Sequence, residues 1–271
     1  MNSMATNPCA ALEFALQVEH FYAGLILAAN LGPDAEPSLG GKLLYAGYLD
    51  ADTRALLVAA NIAGAASLAV SADAAAGRQA IRDGVIDFLV TSLDEALRIL
   101  KNEIRKRSTV AVCVAVESEA DFARQLLERG VLPDLLLPRS AHAPEFAAFL
   151  SQGARPVVAI HPDANQVLLA WSVANAPAQW LPKLDALAVD CLSPDPSPAT
   201  ASARRWLRLA PRYLGRRSQG LRLLRCDDRA ANHFIDRLRE KVEGAEIGVA
   251  VDLTLNHNGQ LEKFSFAPPT R

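Results

Sequence analysis

From residue 42 onward the chain alternates short aliphatic runs with stretches in which apolar residues recur three and four apart. The runs are "KLLYAG", "SLAVS", "VIDFLVT", "TVAVCVAV", "PDLLLP" and "RPVVAI". Between them lie "DADTRALLVAANIAG", "ADAAAGRQAIRDG", "SLDEALRILKNEIRKRS", "ESEADFARQLLERG" and "APEFAAFLSQGA", most of them ending in glycine as helices do. Strand and helix in alternation predict βαβ units, and so an α/β fold: a Rossmann-like, predominantly parallel sheet with flanking helices. The third helix carries the fullest set of local signals. Ser92 and Glu95 form a capping box, Leu93, Ala96, Leu97, Leu100 and Ile104 make one apolar stripe, and Lys101, Arg105, Lys106 and Arg107 crowd the end where the helix dipole favours cations.

The pattern changes on either side of this region. Residues 1–41 read as a helical lead-in followed by the loop "LGPDAEPSLGG". After "AIHPDANQ" comes a long helical stretch holding Trp171 and Trp180, then "LSPDPSPATASARR", whose proline and serine content reads as an exposed connection. The remainder has a β-α-β-β order, and the Asn-Gly of "NHNGQ" marks a closing β-hairpin. Three segments follow: the lead-in 1–41, the Rossmann-like domain 42–162, and a C-terminal α+β portion 163–271 ending in that hairpin.

Composition narrows the functional classes. Half of the 271 residues are apolar, enough for a well-buried core, and a net charge of -2 argues against wholesale attraction to nucleic acid or an anionic membrane. Cys9, Cys113, Cys191 and Cys226 are scattered, without a C-x-x-C pair or histidines at ligand spacing; reduced thiols and no metal site are expected. The N-terminus lacks a basic start and "FYAGLILAANLG" is too short for a bilayer span, so a cytoplasmic location without membrane association is the expectation.

In a sheet of this type ligands bind beyond the C-terminal strand ends, where glycines and helix N-termini admit phosphate. The first such junction reads Ala46-Gly47-Tyr48-Leu49-Asp50-Ala51-Asp52-Thr53, one glycine followed by two aspartates that suit a helix cap and repel a pyrophosphate. Ser71 ends the second strand, followed by Asp73, another expected cap. The fifth junction holds Arg139, Ser140 and His142, and the sixth holds His161 and Asp163. Gly47, Ser71, Ser140 and His142 are therefore candidate ligand contacts. His142, His161 and Asp163 are candidate catalytic groups if neighbouring strands bring the two histidines together, since base catalysis needs a positioned partner. Separately, Arg204, Arg205, Arg208, Arg212, Arg216, Arg217, Arg222 and Arg225 are interleaved with Trp206 and Tyr213. Arg204, Arg205, Arg208 and Arg212 are the candidate anion-binding residues, against the plainer reading of a solvated or self-paired face. His20, His233 and His257 stand singly and read as structural.

Several of these segments together resemble the central Rossmann-like domain of urocanate hydratase (urocanase). The resemblance runs through "AANIAGAASLAVSADAAAGRQAIRDGVIDFLVTSLDEALRIL" and "LLERGVLPDLLLPRSAHAP", about residues 42–145. It implies a fold in which tightly bound NAD acts as an electrophile in hydrating urocanate. The departures fall on the cofactor contacts. The family's Gly-Leu-Gly-Gly-Met-Gly-Gly loop is replaced by Gly47-Tyr48-Leu49-Asp50-Ala51-Asp52, the acid after the second strand by Ser71, and the Asn-Ala after the fourth by Ser118-Glu119. Of the fifth motif only Ser140-Ala141-His142 remains. The expectation is a urocanase-related protein without urocanate hydratase activity, serving as a small-ligand-binding or protein-interaction module, with a homodimer as one assembly to consider. No cofactor is expected. The alternatives are an NAD-dependent hydro-lyase or other lyase, and anion or nucleic-acid binding through residues 204–225.

Overall fold

A computed structural model of the chain describes residues 8–30, 36–138, 144–192, 197–215, 220–257 and 259–269. They fall into two compact units, one formed by Gln17–Ile160 and the other by His161–Arg271 with the chain up to Leu16.

The first unit is the expected parallel, Rossmann-like sheet. Helix α1 (Pro8–Ala29) leads into β1 (Leu43–Tyr48), α2 (Ala51–Ala63), β2 (Ala66–Ser71), α3 (Ala74–Arg82), β3 (Phe88–Val90), α4 (Leu93–Lys106), β4 (Val110–Ala115), α5 (Glu119–Glu128), β5 (Leu135–Leu136), α6 (Pro144–Ser151) and β6 (Arg155–Pro156). The strand order is β3-β4-β2-β1-β5-β6, and every pairing is parallel. Helices on both faces bury every residue of β2 and nearly all of β1 and β4, which is why those runs are continuously apolar. Tyr45, Leu68, Val112, Phe122 and Phe149 lie at the centre of one core layer. The chain moves from β1 to β2 on one side and from β4 across to β5 on the other, so the topological switch point lies between β1 and β5.

Three strands are much shorter than their sequence runs, β5 keeping only Leu135 and Leu136 of "PDLLLP". β3 keeps three residues of "VIDFLVT", because Val85 and Ile86 are buried in the turn that closes α3, with both amides bonded to the Ala80 carbonyl. β6 keeps only Arg155 and Pro156. The chain beyond it leaves the sheet and runs against α1, where the Ile160 amide donates to the His20 carbonyl at 2.9 Å.

In the second unit β7 (Gln166–Val173), α7 (Pro177–Cys191), α8 (Pro198–Tyr213), β8 (Leu221–Asp227), α9 (Asp228–Glu243), β9 (Val251–His257) and β10 (Gln260–Phe266) form an antiparallel sheet of order β10-β9-β7-β8. The β-α-β-β order and the closing hairpin are as expected. Two expectations are corrected. Trp171 is not helical but lies at the middle of β7, the strand hydrogen-bonded on both sides, where its ring meets Phe234 at 5.1 Å. Part of the presumed exposed connection is α8, which starts because Ser197 caps it, accepting from the Thr200 amide, and Pro198 stands at its first position. Along α8, Trp206 donates its indole N–H to the Leu223 carbonyl on the edge strand β8 at 2.6 Å.

Candidate functional site

The C-terminal strand ends of the parallel sheet are where this fold type holds ligands, and at β1 and β2 they carry the chain's own hydrogen-bonded side chains. A register shift between Tyr45 and Gly47 bends β1, and Gly47 takes a φ of 71°, a conformation open to glycine at little cost. The turn then folds back onto β2, the Leu49 amide donating to the Val70 carbonyl at 2.8 Å. Thr53 is fully buried beneath it, its hydroxyl 2.7 Å from the Tyr48 carbonyl and 3.2 Å from that of Ala46. Asp50 accepts the Thr53 amide at 2.9 Å, and the Tyr48 hydroxyl accepts the Ala72 amide across the end of β2 at 3.1 Å.

The neighbouring junctions repeat the arrangement. Ser71 is buried, its hydroxyl donating to the Asp73 carbonyl at 3.0 Å and accepting the Asp73 amide at 3.2 Å. Asp73 caps α3 through the Ala75 amide, Ser92 caps α4 through that of Glu95, and Ser118 caps α5 through that of Asp121. Four consecutive helix N-termini thus have an orphan amide satisfied locally. Three of them, α2, α4 and α5, also carry an acid in the first turn.

Of the candidate ligand contacts, Gly47 and Ser71 lie in this closed rim, while Ser140 and His142, with the neighbouring Arg139, fall outside the described residues. His161 and Asp163 are exposed and belong to the second unit, where Asp163 accepts the Asn165 amide at 2.9 Å in the turn that opens β7. The arginine-rich stretch is divided. Arg204, Arg208 and Arg212 occupy exposed positions four apart on α8 and Arg205 is half-buried, but Trp206 is turned inward and does not interleave with them. Arg222 is drawn into the interior to pair with Asp185, Arg225 donates to Gln166 at 3.1 Å, and Arg216 and Arg217 fall outside the described residues.

Two polar groups, the buried Tyr45 and the half-buried Asp185, escape reading from sequence. Tyr45 is fully buried among Phe122, Phe146 and Phe149, and its hydroxyl meets no hydrogen-bond partner among the described residues. Burial first, and then the Glu119 carboxylate, hold its ionisation well above the usual phenol range. In the second unit Asp185 accepts from Arg222 Nε at 2.9 Å, with Trp171 beside it. Burial raises the Asp185 carboxyl above its usual range, while Arg222 opposes that shift. The thiols of Cys113 and Cys226 are pushed up by burial to about 12, a range in which they are poor nucleophiles at neutral pH. Among the described residues no cluster of three His, Cys, Asp or Glu side chains could hold a metal, and no helix is long and apolar enough to cross a membrane.

Residues 28–155 match the family model described as the urocanase Rossmann-like domain. The matched segment is a little under half of the chain and runs from the last residues of α1 to the first residue of β6.

Proposed function

We propose that this chain is a binding module built on the urocanase-type Rossmann scaffold, that it does not hold NAD in the manner of that family, and that it lacks urocanate hydratase activity. The observation that carries this reading is the closed turn between β1 and α2. A pyrophosphate at such a turn needs exposed amides and the open N-terminus of a helix. Here the Asp50 carboxylate takes the Thr53 amide, the Tyr48 phenol takes the Ala72 amide, and Thr53 ties down the carbonyls between them. Asp52 adds a second negative charge in the same helical turn. These residues do not fit a dinucleotide phosphate, so a small molecule or protein partner bound elsewhere accounts better for the retained scaffold.

Calorimetric titration of the purified chain with NAD tests the reading, together with release and chromatography of nucleotides after acid denaturation. The expected result is no saturable heat at about 100 μM NAD and no nucleotide recovered, since a dissociation constant near 1 μM corresponds to about -8 kcal/mol and would saturate there. Micromolar binding, or copurified NAD, overturns the proposal in favour of an NAD-dependent hydro-lyase.

A further inference from the structure

At the opposite end of the parallel sheet from the capped turns, the starts of β3 and β4 and the outer face of α4 enclose an open cleft of about 890 Å³. Phe88, 46% exposed, forms an apolar wall with Ile99 and the buried Val110. A ring left in water on an edge strand forgoes hydrophobic stabilisation that a bound apolar group would recover.

The charges around this wall are not equivalent. Glu103 is matched by Lys106 at 3.0 Å and by the Asn102 amide at 2.9 Å. Asp87 is fixed in place, its Oδ2 accepting the Ala111 amide at 2.8 Å, which leaves Oδ1 uncommitted among the described residues. Arg98 donates no hydrogen bond among the described residues, and its charge helps to lower the Asp94 carboxyl one turn back on α4. One carboxylate oxygen and one guanidinium therefore line the same cleft as the apolar wall, with bonding capacity remaining. A simple anion would meet repulsion from Asp87, and a simple cation repulsion from Arg98. A ligand carrying both charges on one end and an apolar group on the other satisfies all three features.

We propose that this cleft binds a free α-amino acid with an apolar or aromatic side chain. Its carboxylate is held by Arg98 in forked geometry, its ammonium by Asp87, and its side chain lies against Phe88 and Ile99. The site is separate from the closed turn, and its occupancy is independent of whether NAD binds there.

The test is a titration of the isotope-labelled full chain with L-phenylalanine, followed by amide NMR, beside N-acetyl-L-phenylalanine and L-phenylalaninamide, which each lack one charge. Saturable shifts at Phe88, Ile99 and Val110 are expected with the free amino acid. Each blocked derivative should bind at least about tenfold more weakly, the effect of losing one charge-assisted hydrogen-bonded contact. Arg98→Ala and Asp87→Asn should show the same loss with unchanged melting temperatures. Absence of shifts at these residues, or equal affinity for a blocked derivative on the unmodified chain, overturns the proposal without recourse to either variant.

Discussion

At the scale of single residues, the hydroxyl of Tyr45 costs stability that nothing described in the fold returns. A buried hydroxyl without a partner costs about 1–3 kcal/mol, whereas a phenylalanine ring would fit among Phe122, Phe146 and Phe149. Tyr45→Phe should stabilise the chain by about 1 kcal/mol in urea unfolding. A loss of stability would mean that the hydroxyl has a partner in solution. Asp185 and Arg222 are a contrasting case, a half-buried pair in which each charge depends on the other. Removing the cation by Arg222→Ala should cost about 3–5 kcal/mol at neutral pH, because an uncompensated carboxylate stays behind. The sign of its pH dependence follows from the raised Asp185 carboxyl. The folded state binds that proton more tightly than the unfolded one, so the stability contribution falls as pH rises above the ordinary carboxylate range. Loss of Arg222 strengthens the shift, and the deficit of the variant should shrink between about pH 7 and about pH 4.5 in parallel urea curves. Local chemistry at this scale was legible: Asp50, Asp73 and Ser92 act as the caps their positions suggest. The Tyr48 to Ala72 contact was not, because it joins residues 24 apart and depends on how β1 lies against β2.

At the scale of elements, α1 is fastened to the β6 side of the sheet by backbone. The Ile160 amide bonds the His20 carbonyl, and Arg155 reaches the Ala28 and Ala29 carbonyls at 3.2 and 3.3 Å, closing the C-terminal end of α1. Between them Gly24 lies so close that a Cβ there would stand 1.9 Å from the Val158 carbonyl oxygen. Ala is favoured over Gly in a helix by roughly 0.5–1 kcal/mol, but a backbone oxygen cannot rotate away as a side chain would. Gly24→Ala should therefore destabilise by about 2 kcal/mol net, measured by urea unfolding, and a neutral result would mean that α1 docks differently in solution. Elements with a clean period were readable in sequence. β7 was not, and the reason is its position: hydrogen-bonded on both sides, with Val167, Leu168, Leu169, Ala170 and Trp171 all buried, it lacks the alternation that marks a half-exposed strand.

At the scale of the whole molecule, the segment matching the urocanase domain and the parallel-sheet unit nearly coincide, 28–155 against Gln17–Ile160. The scaffold was legible because strand and helix alternation survives changes of side chain, while a site depends on a few residues at turns. In this chain the turn at the end of β1 holds one glycine, Gly47, with Tyr48, Asp50 and Thr53 hydrogen-bonded around it. The cleft beside β3 left no motif in the sequence, since Asp87, Phe88 and Arg98 come from two elements and read locally as strand entry and solvated helix face. The strand order has a further consequence, for how the sheet meets other chains. A parallel sheet has two open margins along which a foreign strand can add. Among the described residues one margin is β6, two exposed residues ending in Pro156, which has no amide hydrogen to offer a partner, and the other is the three residues of β3, bonded in this sheet only to β4. Both margins are short, so a foreign strand would gain few backbone hydrogen bonds on either side.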